Sequence, residues 1–425
     1  MSVKMDSINY LTSVGILALL LASGCIDLGN STTREMEYEP VYTGMNEIVN
    51  SSNELAMDMY GNLAEEGENV FFSPYSIMIA LGMVYEGARG RTAEEILSVI
   101  DLPSDNTTRR DMVRSLQSQL NPQGAKYELS TANAYWLNED RSLNGGYSDV
   151  IEDDYLAWGQ KLDFAGDPTG SADAINGWVE DETGGRIKDL IPPGIIDVYT
   201  YLILTNAIYF KANWKWQFDE GATKVQPFYR SDGTECQADL MHMCDEGITM
   251  NYARNDDVQM LQLPYVDEEL SMYVVLPWSY DISDLEPHLS GGYIDGLKED
   301  LHGEWVDLYL PRFDFEIKYR LDEDLKEMGM VEAFDPVDAD LSGIDESGES
   351  ILYIDEVLHQ SFVEVNEEGT EAAAATAVEI ALKEGGGGNE PTPTVFRADH
   401  PFIFFIEHQA TGQMLFMGKV EDPSV

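Results

Sequence analysis

A segment rich in small residues near the C-terminus, from Glu367 to Ala381, constrains the fold of this chain more than any other feature. Exposed connections usually carry Gly, Pro, Asn and charge, whereas this segment consists mainly of alanine. Read with a period of two, one set of positions carries no charge and the other is small or acidic. The uncharged set is Thr370, Ala372, Ala374, Thr376, Val378 and Ile380. This alternation predicts a half-buried strand, and the segment leads into four glycines at 385–388.

An alanine-rich helix is the alternative interpretation of the segment, because alanine is the best helix former. As a strand, residues 370–381 would reach about 40 Å, at roughly 3.3 Å per residue. A segment suited both to an exposed connection and to a strand indicates a conformational switch.

The charge of the chain excludes one class of function. Its 425 residues, 44% of them hydrophobic, suffice for a large core in one or two domains. Its formal net charge of -53 would repel nucleic acid. Such self-repulsion is tolerated best where salt screens it, since the Debye length falls to roughly 3 Å near 1 M. We therefore expect a salt-loving source organism; an acidic secreted protein is the alternative.

The N-terminus has the pattern of an export signal. Lys4 precedes an apolar stretch from Tyr10 to Leu21, which is short for a membrane span. The following Ala-Ser-Gly-Cys at 22–25 resembles a bacterial or archaeal lipoprotein box, in which Cys25 is lipidated. We expect a signal peptide at 1–24, a lipid-anchored tether at 25–44 and a folded domain at 45–425. This arrangement predicts a protein on the extracellular face of the membrane, or a secreted one.

Only Cys236 and Cys244 remain after Cys25. With His242 between them they could bind a metal, but three ligands within nine residues match no usual zinc spacing. Free buried thiols are the first expectation, a disulfide the second and a metal site the third.

The remaining patterns favour an α+β fold, because helical and strand-like segments alternate irregularly. Residues 73–85 read as a helix with Ser73 as N-cap and Pro74 in its first position. Residues 202–210 read as a strand buried on both faces, and 271–277 as another strand. The C-terminus reads as a hairpin of 402–407 and 414–420 that turns near 410–412.

Ten ordered motifs between residue 45 and Pro423 resemble those of the serpin family. They are NVFFSPYSI (69–77), GARGRTA (87–93), NGWV (176–179), TGGRI (183–187), TNAIYFKANW (205–214), LPY (263–265), LPRF (310–313), ADLSGI (339–344), VEVNEEGTEA (363–372) and DHPF (399–402). The resemblance implies the serpin fold: three β-sheets, about eight or nine helices and an exposed reactive-centre loop at about 367–398.

The function implied by this resemblance is inhibition of a serine protease by suicide trapping. In serpins the protease cleaves the exposed loop and is acylated, and the freed hinge then inserts as a strand into the main sheet. Insertion adds a strand to a sheet and releases strain stored in the native state. The hinge residues carried over are Glu367, Gly369, Thr370, Ala372, Ala373, Ala374, Ala375 and Thr376. Their small side chains would let the strand enter without overpacking the sheet.

The family pattern also implies a reactive bond, about seventeen residues after the hinge glutamate. Counted from Glu367, this places Lys383 before the bond and Glu384 after it, with Leu382 as the second choice. A lysine there favours a trypsin-like target and a leucine a chymotrypsin-like one. The acidic Glu384 and the glycine run depart from the usual pattern. We also expect a monomer without a cofactor. The net charge argues against a nucleic-acid partner, and the N-terminal pattern predicts membrane contact only through the lipid anchor.

Two polar groups are carried over by the same resemblance. The shutter, a cluster beneath the point where the sheet opens, is Ser73, Ser76, Asn206 and His359. The breach, at the end of the sheet where the hinge enters, is Trp214, Arg312 and Glu367, and an ion pair there would hold the hinge before cleavage. Taken without the resemblance, His359 would be a satisfied core histidine and Arg312–Glu367 a surface pair contributing about 0–1 kcal/mol.

Other functions find less support in the sequence. Residues 338–349 imitate a calcium-binding EF-hand loop, but Asp345 stands at a usually apolar position of that loop. Nucleophile-elbow, zinc-protease and phosphate-loop motifs are missing from the sequence, and its six histidines form no pattern, so we do not expect an enzyme. The alternatives are a non-inhibitory serpin that acts as a cell-surface binding module and a structural lipoprotein.

Overall fold

The computed structural model describes residues 42–122, 125–370 and 392–424 of the chain. Within these residues the chain forms eight α-helices and three β-sheets. The helices are α1 (Tyr42–Leu63), α2 (Pro74–Gly87), α3 (Gly90–Ile100), α4 (Asn106–Leu120), α5 (Gly145–Asp153), α6 (Pro168–Glu182), α7 (Gly291–Glu299) and α8 (Asp322–Glu327). In the described part of the chain, no helix combines the length and the apolar character that crossing a membrane requires.

The main sheet has six strands in the order β12-β13-β14-β4-β2-β3. They are β2 (Tyr127–Asn138), β3 (Trp158–Leu162), β4 (Leu202–Asn213), β12 (Phe313–Arg320), β13 (Leu358–Val365) and β14 (Gly369–Thr370). β3 runs parallel to β2, and the other neighbours are antiparallel. β14 has only two residues, yet it lies inside this sheet, between the longer strands β13 and β4.

Two further sheets complete the fold. The seven-stranded sheet has the order β1-β17-β16-β9-β8-β7-β10 and the four-stranded sheet the order β15-β11-β6-β5. The first contains β1 (Val70–Phe72), β7 (Met250–Arg254), β8 (Val258–Pro264), β9 (Leu270–Pro277), β10 (His302–Glu304), β16 (Phe402–His408) and β17 (Gln413–Val420). The second contains β5 (Lys224–Tyr229), β6 (Glu235–Met243), β11 (Val306–Pro311) and β15 (Thr394–Arg397).

The helix predicted at 73–85 is α2, and its local chemistry is as expected. The side chain of Ser73 accepts a hydrogen bond from the backbone N–H of Ser76, and Pro74 occupies the first turn. Most of α2 is buried, since it runs through the core between the main and the seven-stranded sheets. Phe71 stacks on Phe404 and Phe416 there, with ring centroids 5.8 and 5.3 Å apart. This packing ties the start of α2 to the C-terminal hairpin.

The strand predicted at 202–210 is the first part of β4, and its centre is buried on both faces as expected. One face packs into the large core. The other face contributes Ala207 to a second apolar cluster with Trp136 and residues of α6 such as Ile175 and Val179. The predicted strand at 271–277 and the predicted C-terminal hairpin are also present, as β9 and as β16 with β17.

Candidate functional site

The hinge residues Gly369 and Thr370 already lie within the main sheet as β14. Thr370 pairs with Val365 of β13 on one side and with Ala212 of β4 on the other, and Gly369 pairs with Asn213. Within the described residues, no ladder joins β13 to β4 except through β14. β14 therefore marks the place between two strands at which a longer strand could continue.

Gly369 is required sterically at its position. A Cβ atom built there would lie 2.1 Å from the carbonyl oxygen of Ala212 and 2.7 Å from the Cα of Asn213. Both neighbours are backbone atoms of β4, so no side-chain rotation can relieve the clash. The close approach of the hinge to β4 thus depends on glycine.

Backbone hydrogen bonds hold the turn that precedes β14. The Asn366 N–H donates to the Gly369 carbonyl at 3.0 Å, and the Asn366 side chain accepts from the N–H of Glu368 at 3.0 Å. Trp214 donates two hydrogen bonds to the same turn. Its backbone N–H donates to the Glu368 carbonyl at 2.8 Å, and its indole N–H donates to the Asn366 carbonyl at 2.9 Å. Trp214 is the breach residue predicted from the sequence, and it contacts the hinge directly.

The predicted breach ion pair is present and bidentate. The Nε and Nη2 atoms of Arg312 lie 2.6 and 2.5 Å from the two carboxylate oxygens of Glu367. The hydroxyl of Thr223 donates to the same carboxylate. Burial raises the pKa of the Glu367 carboxyl, but the hydrogen bonds from Arg312 and Thr223 outweigh it and hold the pKa below its ordinary value. With Glu367 buried, this pair differs from an ordinary surface salt bridge.

The side chain of Thr370 shows which face of the hinge is directed into the core. Its hydroxyl lies 2.7 Å from the hydroxyl of Tyr265, and the Tyr265 ring stacks on Trp214 with centroids 4.6 Å apart. Thr370, Tyr265 and Trp214 are all buried. Thr370 therefore faces the core, as the uncharged alternation of the segment predicted.

Part of the predicted shutter is assembled around the start of α2. The Ser73 N–H donates to Nε2 of His359 at 3.1 Å, and the Ser73 hydroxyl donates to the Leu415 carbonyl at 2.6 Å. His359 lies on β13 and is 2% exposed. Burial lowers the pKa of His359 to about 4, so the ring is neutral near pH 7.

The other two shutter residues are incompletely satisfied. Asn206, on β4, donates from Nδ2 to the Asn133 side chain at 2.5 Å, rather than to His359. Its Oδ1 atom and the hydroxyl of Ser76 are buried without a hydrogen-bond partner among the described residues. Buried polar groups normally find partners, so these two atoms leave the shutter unsatisfied in this state.

Several predicted residues lie outside the described part of the chain. They are Cys25, Ala372, Ala373, Ala374, Ala375, Thr376, Leu382, Lys383 and Glu384. The predicted lipidation site, most of the predicted hinge and the reactive bond therefore stay predictions.

The cysteines are free, as first expected, but the expectation that they are buried is wrong. Cys236 is half-buried and donates to Asp422 at 3.3 Å, and Cys244 is exposed. Cys236 is the second residue of β6, and Cys244 directly follows the last residue of this strand. His242 hydrogen-bonds Asp307 at 2.8 Å. Among the described residues, no group of His, Cys, Asp and Glu has the arrangement of a metal site.

The segment that imitates a calcium loop is folded into turns held by its own carboxylates. Asp340 accepts from the Ser342 N–H at 3.2 Å, and Asp345 accepts from the Ser347 N–H at 2.8 Å. Side chains that cap their own backbone in this way are typical of Asx turns. The pattern thus has a structural explanation.

The sequence did not predict three residues of the site. Thr223 hydrogen-bonds Glu367, Tyr265 hydrogen-bonds Thr370, and Asn133 accepts a hydrogen bond from Asn206. Tyr265 belongs to one of the motifs quoted above, which gave it no role. Thr223 and Asn133 carried no signal, because each meets its partner from a distant part of the chain.

Comparison with known proteins agrees with this arrangement. The family described as "Serpin (serine protease inhibitor)" matches residues 50–423. An uncharacterized serpin-like protein of Thermococcus kodakarensis is 41% identical, over 92% of this chain and 90% of its own length. Serpin B8 of Homo sapiens is 37% identical, over 89% of this chain and 100% of its own.

Solved structures show the same fold. Serpin48 of the insect Tenebrio molitor superposes with a TM-score of 0.77 at 30% identity, over 88% of this chain and 98% of its own. The α+β architecture of three sheets expected from the motifs is thereby confirmed. With the match to nearly the whole folded part and relatives well above 30% identity, the chain belongs to the serpin family.

Proposed function

We propose that this protein inhibits a serine-type endopeptidase by covalent trapping, in which the cleaved reactive loop inserts into the main sheet between β13 and β4. The observation that carries the proposal is β14: two hinge residues already occupy the entrance between those strands. The family description is that of a serine protease inhibitor rather than of an enzyme. An inhibitor of this kind needs no cofactor, since the target protease supplies the chemistry.

The register of β14 supports insertion further along the same path. Val365 is opposite Thr370, and Thr370 is opposite Ala212. Continued without a shift, the same ladders would bring Thr376 between His359 and Asn206, the two shutter residues on the flanking strands. A threonine hydroxyl at that position could reach the unsatisfied Oδ1 of Asn206. Insertion would then supply a partner that the present state lacks.

The alternation of the segment fits the same register. Val365, Thr370 and Ala212 are all buried and lie directly opposite one another, so their side chains share the core face of the sheet. Continuing from Thr370, every second residue up to Ile380 would face that core, and none of these carries a charge. Glu371 and Glu379 would face the other side.

We place the reactive bond between Lys383 and Glu384, with a trypsin-like protease as target. Lys383 is the only basic residue between His359 and Arg397. Leu382 with a chymotrypsin-like target is the second choice. We further propose that the inhibitor acts as a monomer outside the cell, anchored through a lipid on Cys25.

The test is to mix the full chain with trypsin in high salt, then analyse the products by denaturing gel and mass spectrometry. We expect a covalent complex that survives denaturation and a released peptide that begins at Glu384. A complex formed only with chymotrypsin and a peptide beginning at Lys383 would move the bond to Leu382. Cleavage without a complex, by either enzyme, would contradict the proposed function and favour a binding module.

A pair of variants tests the insertion step separately. Ala374→Glu places a charged side chain on the core-facing set without adding a trypsin site, and it should turn the protein into a substrate, so that cleavage continues while the covalent complex is lost. Glu371→Gln changes a position of the opposite set and should keep the complex. Equal loss of the complex in both variants would contradict the proposed register.

A further inference from the structure

A second polar site lies far along the chain from the hinge, where α2 ends and α3, α4 and α5 begin. Three arginines converge there on Glu86. Arg109 donates from Nε and Nη2 to one carboxylate oxygen at 3.0 and 2.7 Å, and Arg110 donates to the other at 3.1 and 2.6 Å. Arg89 donates from Nη1 to the backbone carbonyl of Glu86 at 3.1 Å. One residue thus holds three guanidinium groups close together.

These guanidinium groups line a cavity of about 270 Å³. Among the described residues that line it, Glu86 is the only carboxylate, against the three arginines. The two Glu86 oxygens are already engaged by Arg109, Arg110 and the hydroxyl of Tyr155. Positive charge therefore remains beside the cavity, in a chain whose formal net charge is -53.

Further charges border the cluster without cancelling it. Asp154 lies 3.9 Å from Nε of Arg110 and 3.2 Å from Nε of Arg114, and Arg114 also pairs with Asp111. These three residues outside the wall carry one net negative charge, against an excess of two positive charges in the wall. Arg89 has no carboxylate within ion-pair distance in the described part of the chain. Its guanidinium is held over Gly343, where a Cβ atom would lie 2.3 Å from Nη2. The charge of Arg89 is thus fixed in place and unneutralised.

Hydrogen-bond donors remain available at the cavity. All three nitrogens of the Arg109 guanidinium are used, because Nη1 donates to the Pro103 carbonyl at 3.0 Å. In contrast, Nη1 of Arg110 and both Nε and Nη2 of Arg89 make no hydrogen bond to any described residue. Two helix N-termini reach the same cavity, through Asn106 at the start of α4 and Gly146 in the first turn of α5. The α5 dipole adds positive potential, whereas the carboxylate of Asp105 caps the N-terminus of α4.

We propose that this cavity, which we call the Glu86 cavity, binds a tetrahedral oxyanion with two negative charges, either phosphate or sulfate. Guanidinium groups match the oxygens of such anions with paired donors. At about 30 Å³ for each water molecule, a cavity of this size has room for the anion and several waters. A dianion would neutralise the excess charge of the arginines. The site is independent of the hinge and of the proposed inhibition.

The test is calorimetric titration of the full chain with inorganic phosphate and, separately, with sodium sulfate, at constant ionic strength in chloride. We expect saturable binding of one ion per chain. Arg110→Gln and Arg89→Gln should each weaken binding about tenfold or more, since each removes a charge-assisted hydrogen bond. Arg254→Gln, which changes an exposed arginine on β7, should leave the affinity unchanged. Binding of phosphate alone, or of both ions, would identify which oxyanion the site takes.

Absence of saturable binding to the wild-type chain, or equal affinity in all three variants, would overturn the proposal. Arg89 also bonds the end of α2, so circular dichroism must show that its variant is folded. Crystals soaked in selenate provide a test without any variant. An anomalous selenium peak between Arg89 and Arg110 is expected, and a cavity without a peak would contradict the assignment.

Discussion

Trp214 and Glu367 of the breach follow the ends of β4 and β13, and Asn206 and His359 of the shutter lie on these two strands, yet the clusters differ in how completely their polar groups are satisfied. In the breach, Glu367 accepts from Arg312 and Thr223, and Trp214 uses both of its donors on the hinge turn. In the shutter, Asn206 Oδ1 and the Ser76 hydroxyl are buried without partners among the described residues. The hinge is therefore held by a full set of hydrogen bonds where it enters the sheet. Farther along the sheet, two buried polar atoms of the shutter have no hydrogen-bond partner among the described residues.

This difference bears on how a serpin can remain in the uninserted state until a protease cleaves its loop. A satisfied breach holds the hinge in register at the entrance, because the ion pair and the Trp214 contacts fix the turn that precedes β14. An unsatisfied shutter favours insertion once the loop is cut, since buried polar atoms gain partners in the final state.

Gly369→Val should have the largest effect, because the new side chain would meet the backbone of β4. We expect the free energy of unfolding to fall by about 3 kcal/mol. Chemical denaturation measures this change. Gly61→Ala is the matched control, since a Cβ atom there meets nothing within 4 Å and the position lies in α1. Equal destabilisation in both variants would show that the hinge does not approach β4 closely.

Arg312→Gln should come next, because it leaves the buried carboxylate of Glu367 with only Thr223. We expect a loss of about 2 kcal/mol in the free energy of unfolding, the usual value of a hydrogen bond to a charged group. Arg320→Gln removes a guanidinium that is 62% exposed and pairs with Glu356 at 2.7 Å. That control should change stability by less than about 1 kcal/mol. If the two variants behave alike, the breach is no more than a surface pair.

Ser73→Ala and Ser76→Ala contrast a satisfied hydroxyl of the shutter with an unsatisfied one. Removing the Ser73 hydroxyl deletes the cap of α2 and the bond to Leu415, which should cost about 1–2 kcal/mol. Removing the Ser76 hydroxyl should be nearly neutral, because that group makes no bond in this state. Thermal unfolding of the two variants side by side would measure the difference. A large loss in Ser76→Ala would disprove the unsatisfied shutter.

The two regions should also respond to pH in different ranges. Burial gives His359 a folded pKa of about 4, below its unfolded value of roughly 6.5. Its contribution is therefore complete above pH 6.5 and is lost as pH falls toward 4. The pKa of Glu367 is also lowered on folding, so its contribution is complete above roughly pH 4.3 and is lost only below it.

Denaturation of the wild type and of His359→Gln between pH 7 and 4 would separate the two contributions. The wild type should lose stability between pH 6.5 and 4, and the variant should lose less over that interval. An identical decline in both proteins would mean that His359 does not titrate with unfolding.

Local patterns predicted much of this fold. The cap and apolar run of α2, the unbroken apolar run of β4 and the C-terminal hairpin each carry a signal within a few residues. The core-facing role of Thr370 followed from alternation alone. The contact of Arg312 with Glu367 required the family resemblance, because 55 residues separate the two.

Other features had no sequence signal. The order of strands in the sheets depends on pairings between distant segments, such as Phe313 with Val365. Cys244 directly follows β6 and is exposed, although thiols are usually buried. The Glu86 cavity was missed because its arginines come from separate segments, Arg89 at the start of α3 and Arg109 and Arg110 within α4. Their convergence on Glu86 exists only in the folded chain.

Insertion of the hinge can be measured by cleaving the reactive loop with a protease that is then removed. The melting temperatures of the cut and intact proteins are then compared. Hydrogen exchange at the amides of β13 and β4 would report on the sheet in the same samples. We predict a much higher melting temperature after cleavage and slower exchange along both strands, because the hinge would add a strand between β13 and β4 beyond β14. An unchanged melting temperature with unchanged exchange would contradict insertion. It would also contradict the view that the satisfied breach holds the hinge while the unsatisfied shutter favours insertion.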